Sequence, residues 1–169
     1  MLEFNRYIRA TVNKFKTAAG LTPAKRPADW RCFRIVDRKI APPLSCELNA
    51  VDHCNIACLD CNHASPGVAE NFADPDSVFN DFSRLAKVYQ ADCVKILGGE
   101  PLLHPDLISL IHAIRKSGVS EKIRLVTNGT LLHHMPHSIW HAIDQIEVSS
   151  YPETELKEDC LRSMRRNAA

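Results

Sequence analysis

Three cysteines, Cys54, Cys58 and Cys61, stand with gaps of three and two residues directly after a short apolar run. Thiolates bind zinc and iron–sulfur clusters. A [4Fe–4S] cubane held wholly by protein takes four of them. No fourth cysteine closes this group at matching spacing, so one iron keeps an open position, and an open position on a metal is where chemistry happens. The short gaps let one loop reach three corners of a cubane. His63 supplies a second reading. With the three cysteines it makes a Cys₃His set of the kind that holds structural zinc.

Another apolar run ends in Gly98-Gly99-Glu100-Pro101, 37 residues beyond Cys61. Paired glycines let a backbone approach a ligand closely and adopt φ values other residues resist; they also serve in plain strand-to-helix turns. Thr127-Asn128-Gly129-Thr130-Leu131-Leu132 contains an Asn-Gly turn signal. Asn62 and His63 are candidates for the substrate side of a site or for its support, and His104 for starting the helix that follows. His133, His134, His137 and His141 resemble a metal patch, but they fall on a loop and a helix face with no carboxylate partner and read as solvated surface. Cys32, Cys46, Cys93 and Cys160 sit in apolar patterns and read as buried free thiols.

The elements that must position these residues follow from periodicity. Strands are expected at 44–51, 93–97, 123–127 and 146–149, and a short one at 32–36. Asp74-Pro75 reads as an N-cap followed by a proline at the first helical turn, and Val78, Phe79, Phe82, Leu85 and Ala86 then share one helix face. Pro105 opens a helix with Leu107, Ile108, Ile111 and Ile114 inward and Gly118 at its C-cap. Short helices are expected at 137–143 and 153–166. Residues 2–18 read as a basic amphipathic helix packed on the outside of the domain, and 20–29 as a linker. Four strand–helix units in series imply parallel strands joined by right-handed crossovers. Ligands then sit at the carboxyl ends of the strands. Cys54 to Cys61, Gly98 to Pro101, Asn128-Gly129 and Ser149-Ser150 all fall at such ends, on one rim.

The 169 residues suit one domain with a buried core, and 45% hydrophobic and 24% charged residues are ordinary for a globular chain. The net charge of +1 is unevenly spread: residues 1–39 hold ten basic and three acidic side chains, and the remainder eleven and seventeen. Nothing here marks a nucleic-acid partner. No run approaches the roughly 18 apolar residues of a membrane span. Seven cysteines, an odd number, without a secretory signal point to a reducing cytoplasm.

Taken together, Cys54-x-x-x-Cys58-x-x-Cys61 and Gly98-Gly99-Glu100-Pro101 resemble the radical S-adenosylmethionine (radical SAM) superfamily, over roughly residues 44–166. The resemblance implies an α/β fold, a parallel-stranded partial (βα) barrel. About four of six βα units are present, preceded by an N-terminal helix. The expected domains are 1–43, basic helix and linker, and 44–169, a core truncated at its C-terminus. It implies that Cys54, Cys58 and Cys61 bind a [4Fe–4S] cluster. The open iron takes the amino and carboxylate groups of S-adenosyl-L-methionine, and one electron then releases a 5′-deoxyadenosyl radical that abstracts hydrogen from a substrate the sequence does not name. Gly98, Gly99, Glu100 and Pro101 are implied at the methionine end, with Glu100 near its ammonium; Asn128 lines the site, and Ser149 lies where a polar contact to the ribose is often placed. An electron donor such as a flavodoxin or ferredoxin is implied. Asp60 departs from the family, which commonly has an aromatic residue there. The alternatives are a non-catalytic zinc- or iron–sulfur-binding module and an inactive truncated fragment.

Overall fold

The computed structural model describes residues 9–10, 33–42, 45–149 and 158–167. The sequence alternates strand and helix from residue 46 onward: β4 (Cys46–Val51), α1 (Pro75–Leu85), β5 (Val94–Gly98), α2 (Leu107–Ser117), β6 (Ile123–Thr127), α3 (His137–Ala142), β7 (Gln145–Ser149) and α4 (Glu158–Asn167). Before them lie β1 (Arg9–Ala10), β2 (Arg34–Val36) and β3 (Lys39–Ala41). β4, β5, β6 and β7 are parallel and neighbour one another in chain order, as right-handed crossovers dictate. This is the α/β arrangement of four strand–helix units expected above.

Along most of their length the strands alternate between two environments, because successive side chains point to opposite faces. Val94, Ile96, Ile123, Leu125, Ile146 and Val148 are buried on the face covered by helices. There α2 contributes Leu110, Ile111 and Ile114, all without solvent exposure, and each such side chain stabilises the fold by about 1.5–3 kcal/mol. The opposite face carries a transverse polar row. Glu47 pairs with Lys95, Lys95 with Arg124 and Arg124 with Gln145 across adjacent strands. Lys95 Nζ donates to Glu47 at 3.3 Å, and the Arg124 guanidinium donates to Gln145 Oε1 and Glu147 Oε2.

The helix ends follow their signals. Asp74 caps α1 by accepting from Ser77 N at 2.8 Å, with Pro75 in the first turn. Gly118 ends α2 at φ 71°. Pro105 does not open α2; Asp106 is its N-cap, accepting from Ser109 N at 3.2 Å. His104 supports that start, since Asp106 N donates to His104 Nδ1 at 3.0 Å. The helix expected over 2–18 is corrected at Arg9–Ala10, which run antiparallel along β7, Arg9 opposite Ser149 and Ala10 opposite Val148; its other residues, the linker at 20–29, Cys32 and residues 150–157 lie outside the described residues. β2 and β3 form a hairpin whose turn residues Asp37 and Arg38 both have positive φ. No helix among the described residues is long and apolar enough to cross a membrane.

Candidate functional site

The ends of the four parallel strands enclose a cavity of about 450 Å³. Cys54, Cys58 and Cys61 line it, together with Gly98, Gly99, Asn128 and Ser149. Residues from four separate strand ends thus meet at one place. Glu100 and Pro101 are the exceptions. Both are buried without facing the cavity.

Glu100 has no solvent exposure. Its Oε1 accepts from Thr127 Oγ1 at 2.6 Å and from Leu102 N at 3.0 Å, and its Oε2 from Asn128 N at 2.8 Å. The carboxylate therefore ties the end of β5 to the end of β6. Burial pushes its pKa up, against the pull of the Thr127, Asn128 and Leu102 hydrogen bonds.

The two glycines answer to a backbone rather than to open space. A Cβ on Gly98, where φ is 130°, would stand 2.2 Å from Val51 O, and one on Gly99 would stand 1.9 Å from His53 O. Gly99 N donates to Val51 O at 2.7 Å and Glu100 N to His53 O at 3.1 Å. The end of β5 thus continues its pairing along the segment that leads into Cys54. The glycines make that contact possible, and the contact sets where the cysteine loop begins.

A second tie comes from β6. Asn128 is 6% exposed; its Nδ2 donates to Asn55 Oδ1 at 2.9 Å and reaches Cys54 Sγ at 3.8 Å, while its Oδ1 accepts from Thr130 N and Oγ1. Asn55 Nδ2 in turn donates to Thr130 Oγ1 at 2.9 Å. Burial raises the Cys54 thiol pKa. Cys61 goes the other way: burial opposes ionisation, but the amides of Ser65, His63 and Ala64 outweigh it and hold this thiol below its usual value.

The donor set fits a cubane with one open corner. Three thiols share a cavity with two glycines and polar groups from β6 and β7 opposite them, and a buried hydroxyl there, Ser65 Oγ, has no well-formed hydrogen-bond partner. Among the described residues no three His, Cys, Asp or Glu side chains are arranged to hold a single ion. Asp60, Asn62 and His63 also line the cavity.

Sequence reasoning missed Glu47, Lys95, Glu147, Asn55 and Ser65. The first three line the cavity from the strands' polar face, and period-two alternation on 46–51, 94–98 and 145–149 was the available signal. Asn55 stands next to the first cysteine, but only tertiary pairing with Asn128 reveals its role. Of the four histidines read as surface, His134, His137 and His141 are exposed, whereas His133 is half-buried with Nδ1 3.2 Å from Cys160 Sγ. Cys160 is buried, and Cys46 and Cys93 are half-buried.

The family profile described as Radical SAM superfamily matches residues 48–165. Among curated relatives, a probable GTP 3′,8-cyclase of Methanothermobacter marburgensis is 26% identical over 118 residues, 69% of this chain and 38% of the relative. The corresponding protein of Saccharolobus solfataricus is 27% identical over 68% of this chain and 37% of its own, and that of Metallosphaera sedula 30% identical over 73% and 39%. The chain therefore spans less than two-fifths of the length of these relatives. A solved structure of TYW1 with a lysine–pyruvate adduct bound matches with a TM-score of 0.40 at 20% identity, over 77% of this chain and 50% of that one.

Proposed function

The chain belongs to the radical SAM superfamily, and from that premise we propose that residues 44–169 form a core that binds a [4Fe–4S] cluster through Cys54, Cys58 and Cys61 and S-adenosylmethionine at the iron left open. One observation carries this reading: three cysteines and the ends of three further strands line a single cavity. When bound, cluster and cofactor supply reductive cleavage of the sulfonium, which yields a radical able to take hydrogen from a substrate.

The chain's own residues do the positioning. Gly98 and Gly99 seat the loop that starts at Cys54 and present backbone to the cavity. Asn128 holds that loop from β6 and directs its amide at Cys54. Glu100 acts from behind the wall, fixing the Asn128 amide, so its part is to hold the pocket's shape. Ser149 supplies a polar contact on the far wall. Glu47, Lys95 and Glu147 make the deeper wall hydrophilic, which suits a polar substrate. The relatives named above as probable GTP 3′,8-cyclases make GTP the first substrate to try. A one-electron donor of the flavodoxin or ferredoxin kind completes the scheme.

Anaerobic reconstitution with iron and sulfide, followed by EPR of the reduced protein with and without S-adenosylmethionine, tests this. A [4Fe–4S]⁺ signal that changes on adding the cofactor is expected. Retained zinc with no cluster overturns the proposal, and a cluster signal indifferent to the cofactor removes its cofactor-binding half.

A further inference from the structure

Among the described residues, the buried side-chain polar atoms without a hydrogen-bond partner are His53 Nδ1 and Ser65 Oγ. Ser65 is the more deeply placed, 1% exposed, and it lines the same cavity as the cysteines. A hydroxyl taken out of water and left unpaired is costly, so its persistence calls for an acceptor. The local backbone indicates which. Ala64 N donates to Cys61 O at 3.3 Å, closing a turn directly after the last cysteine. Ala64 then adopts a left-handed conformation, φ 52° and ψ 21°, which costs a residue bearing a Cβ. Ser65–Gly67 follow as one 3₁₀ turn, with Gly67 N donating to Ala64 O at 3.0 Å and Val68 N to Ser65 O at 3.3 Å. The chain thus turns back directly after its last cysteine, and the turn brings Ser65 to the cavity that Cys61 lines.

Resting on the cluster reading above, we propose that Ser65 Oγ–H donates a hydrogen bond to the Cys61 sulfur when that sulfur is a cluster ligand, and that this bond raises the cluster's reduction potential. The physical reason is charge. Reduction adds an electron to the cluster, and a donor aimed at a ligand sulfur stabilises the more negative state. Ser65 is a positioning and tuning residue: it touches a ligand, not the reacting atoms. Its effect is present before S-adenosylmethionine arrives, which separates it from a role in holding the cofactor.

The test uses the full chain, reconstituted anaerobically and studied without S-adenosylmethionine. The midpoint potential is read by EPR-monitored redox titration for wild type, Ser65→Ala and Ser65→Thr. Pulsed ENDOR of the reduced cluster in D₂O reads the exchangeable protons near it. Ser65→Ala should move the midpoint to more negative potential and lose one deuteron coupling, and Ser65→Thr, which keeps the hydroxyl, should restore both. Equal midpoints and equal couplings in wild type and Ser65→Ala overturn the inference while leaving the cluster reading intact. If Ser65→Ala loads poorly, Ser65→Thr decides: a wild-type midpoint with the deuteron coupling kept supports the inference, and a midpoint displaced to more negative potential despite the retained hydroxyl overturns it. A wild-type chain that assembles no cluster overturns both.

Discussion

At the scale of the residue, Glu100 decides the most. It is a buried carboxylate held by three donors. Because burial raises its folded-state pKa, its contribution to stability is fully present below the unfolded glutamate value and is lost as pH rises through the folded one. Thermal unfolding of the wild type should therefore show a decline that begins as pH passes the ordinary glutamate value and levels off once the folded group is ionised. Glu100→Gln cannot ionise and should lack that decline. It also turns an amide N–H toward a donor, so it should cost about 1–3 kcal/mol where the wild type is most stable; denaturant melts across pH measure both. Asn55→Ala removes two hydrogen bonds that join the cysteine loop to residues 128–130. A local loss of about 1 kcal/mol corresponds to roughly fivefold faster release of a reconstituted cluster to a chelator, followed by the decay of its absorbance. Neither residue's role was legible in the sequence. Glu100 was visible as part of a motif, but the direction of its side chain depends on where β6 lies.

At the scale of the element, the strands and helices were largely legible, because the apolar alternation of 123–127 and the 3.6-residue stripe of α2 are strong periodic signals. Capping chemistry located Asp74 and Gly118. Pro105 misled because a proline before a helix draws attention from the aspartate that caps it. Arg9–Ala10 were misassigned for a different reason: a spacing of apolar residues suited to a helix was overridden by the free edge of β7, which offers unpaired backbone groups to any extended segment. The element-level prediction concerns the glycines. Gly99→Ala drives a Cβ against the His53 carbonyl. It should destabilise the fold by about 3 kcal/mol or more and abolish cluster loading. Gly118→Ala is the control. Its φ is also positive but nothing lies within 4 Å of the added atom, so it should cost about 1–2 kcal/mol and load normally. Calorimetry with iron and sulfide analysis separates the two.

At the scale of the whole molecule, one sheet faces two media. Its helix side is dry and aliphatic, and its other side bears the Glu47–Lys95–Arg124–Gln145 row beneath a rim of cysteines and backbone. Binding at the rim should stabilise the whole domain, since a group held by the folded state alone shifts the equilibrium by mass action. The reconstituted protein should melt several degrees above the apo form, at about 2–4 °C per kcal/mol for a domain of this size. Anaerobic differential scanning fluorimetry before and after chelation measures it, and identical melting would mean that the cysteines hold nothing the fold depends on. The convergence of four strand ends was legible from topology alone. The ion pairs of the polar row were not, since they depend on register between strands that lie far apart in the chain.

The pairing of Gly99 with Val51 and of Glu100 with His53 bears on engineering and on inheritance. The eight residues from Cys54 to Cys61 look like a portable cassette, yet their seat is encoded on another strand nearly forty residues downstream. Grafting the loop alone into a foreign scaffold transfers the ligands without their foundation. A transplant has to carry both strand ends, and in natural descent a change at either glycine strikes the cysteines as surely as a change in the cysteines themselves.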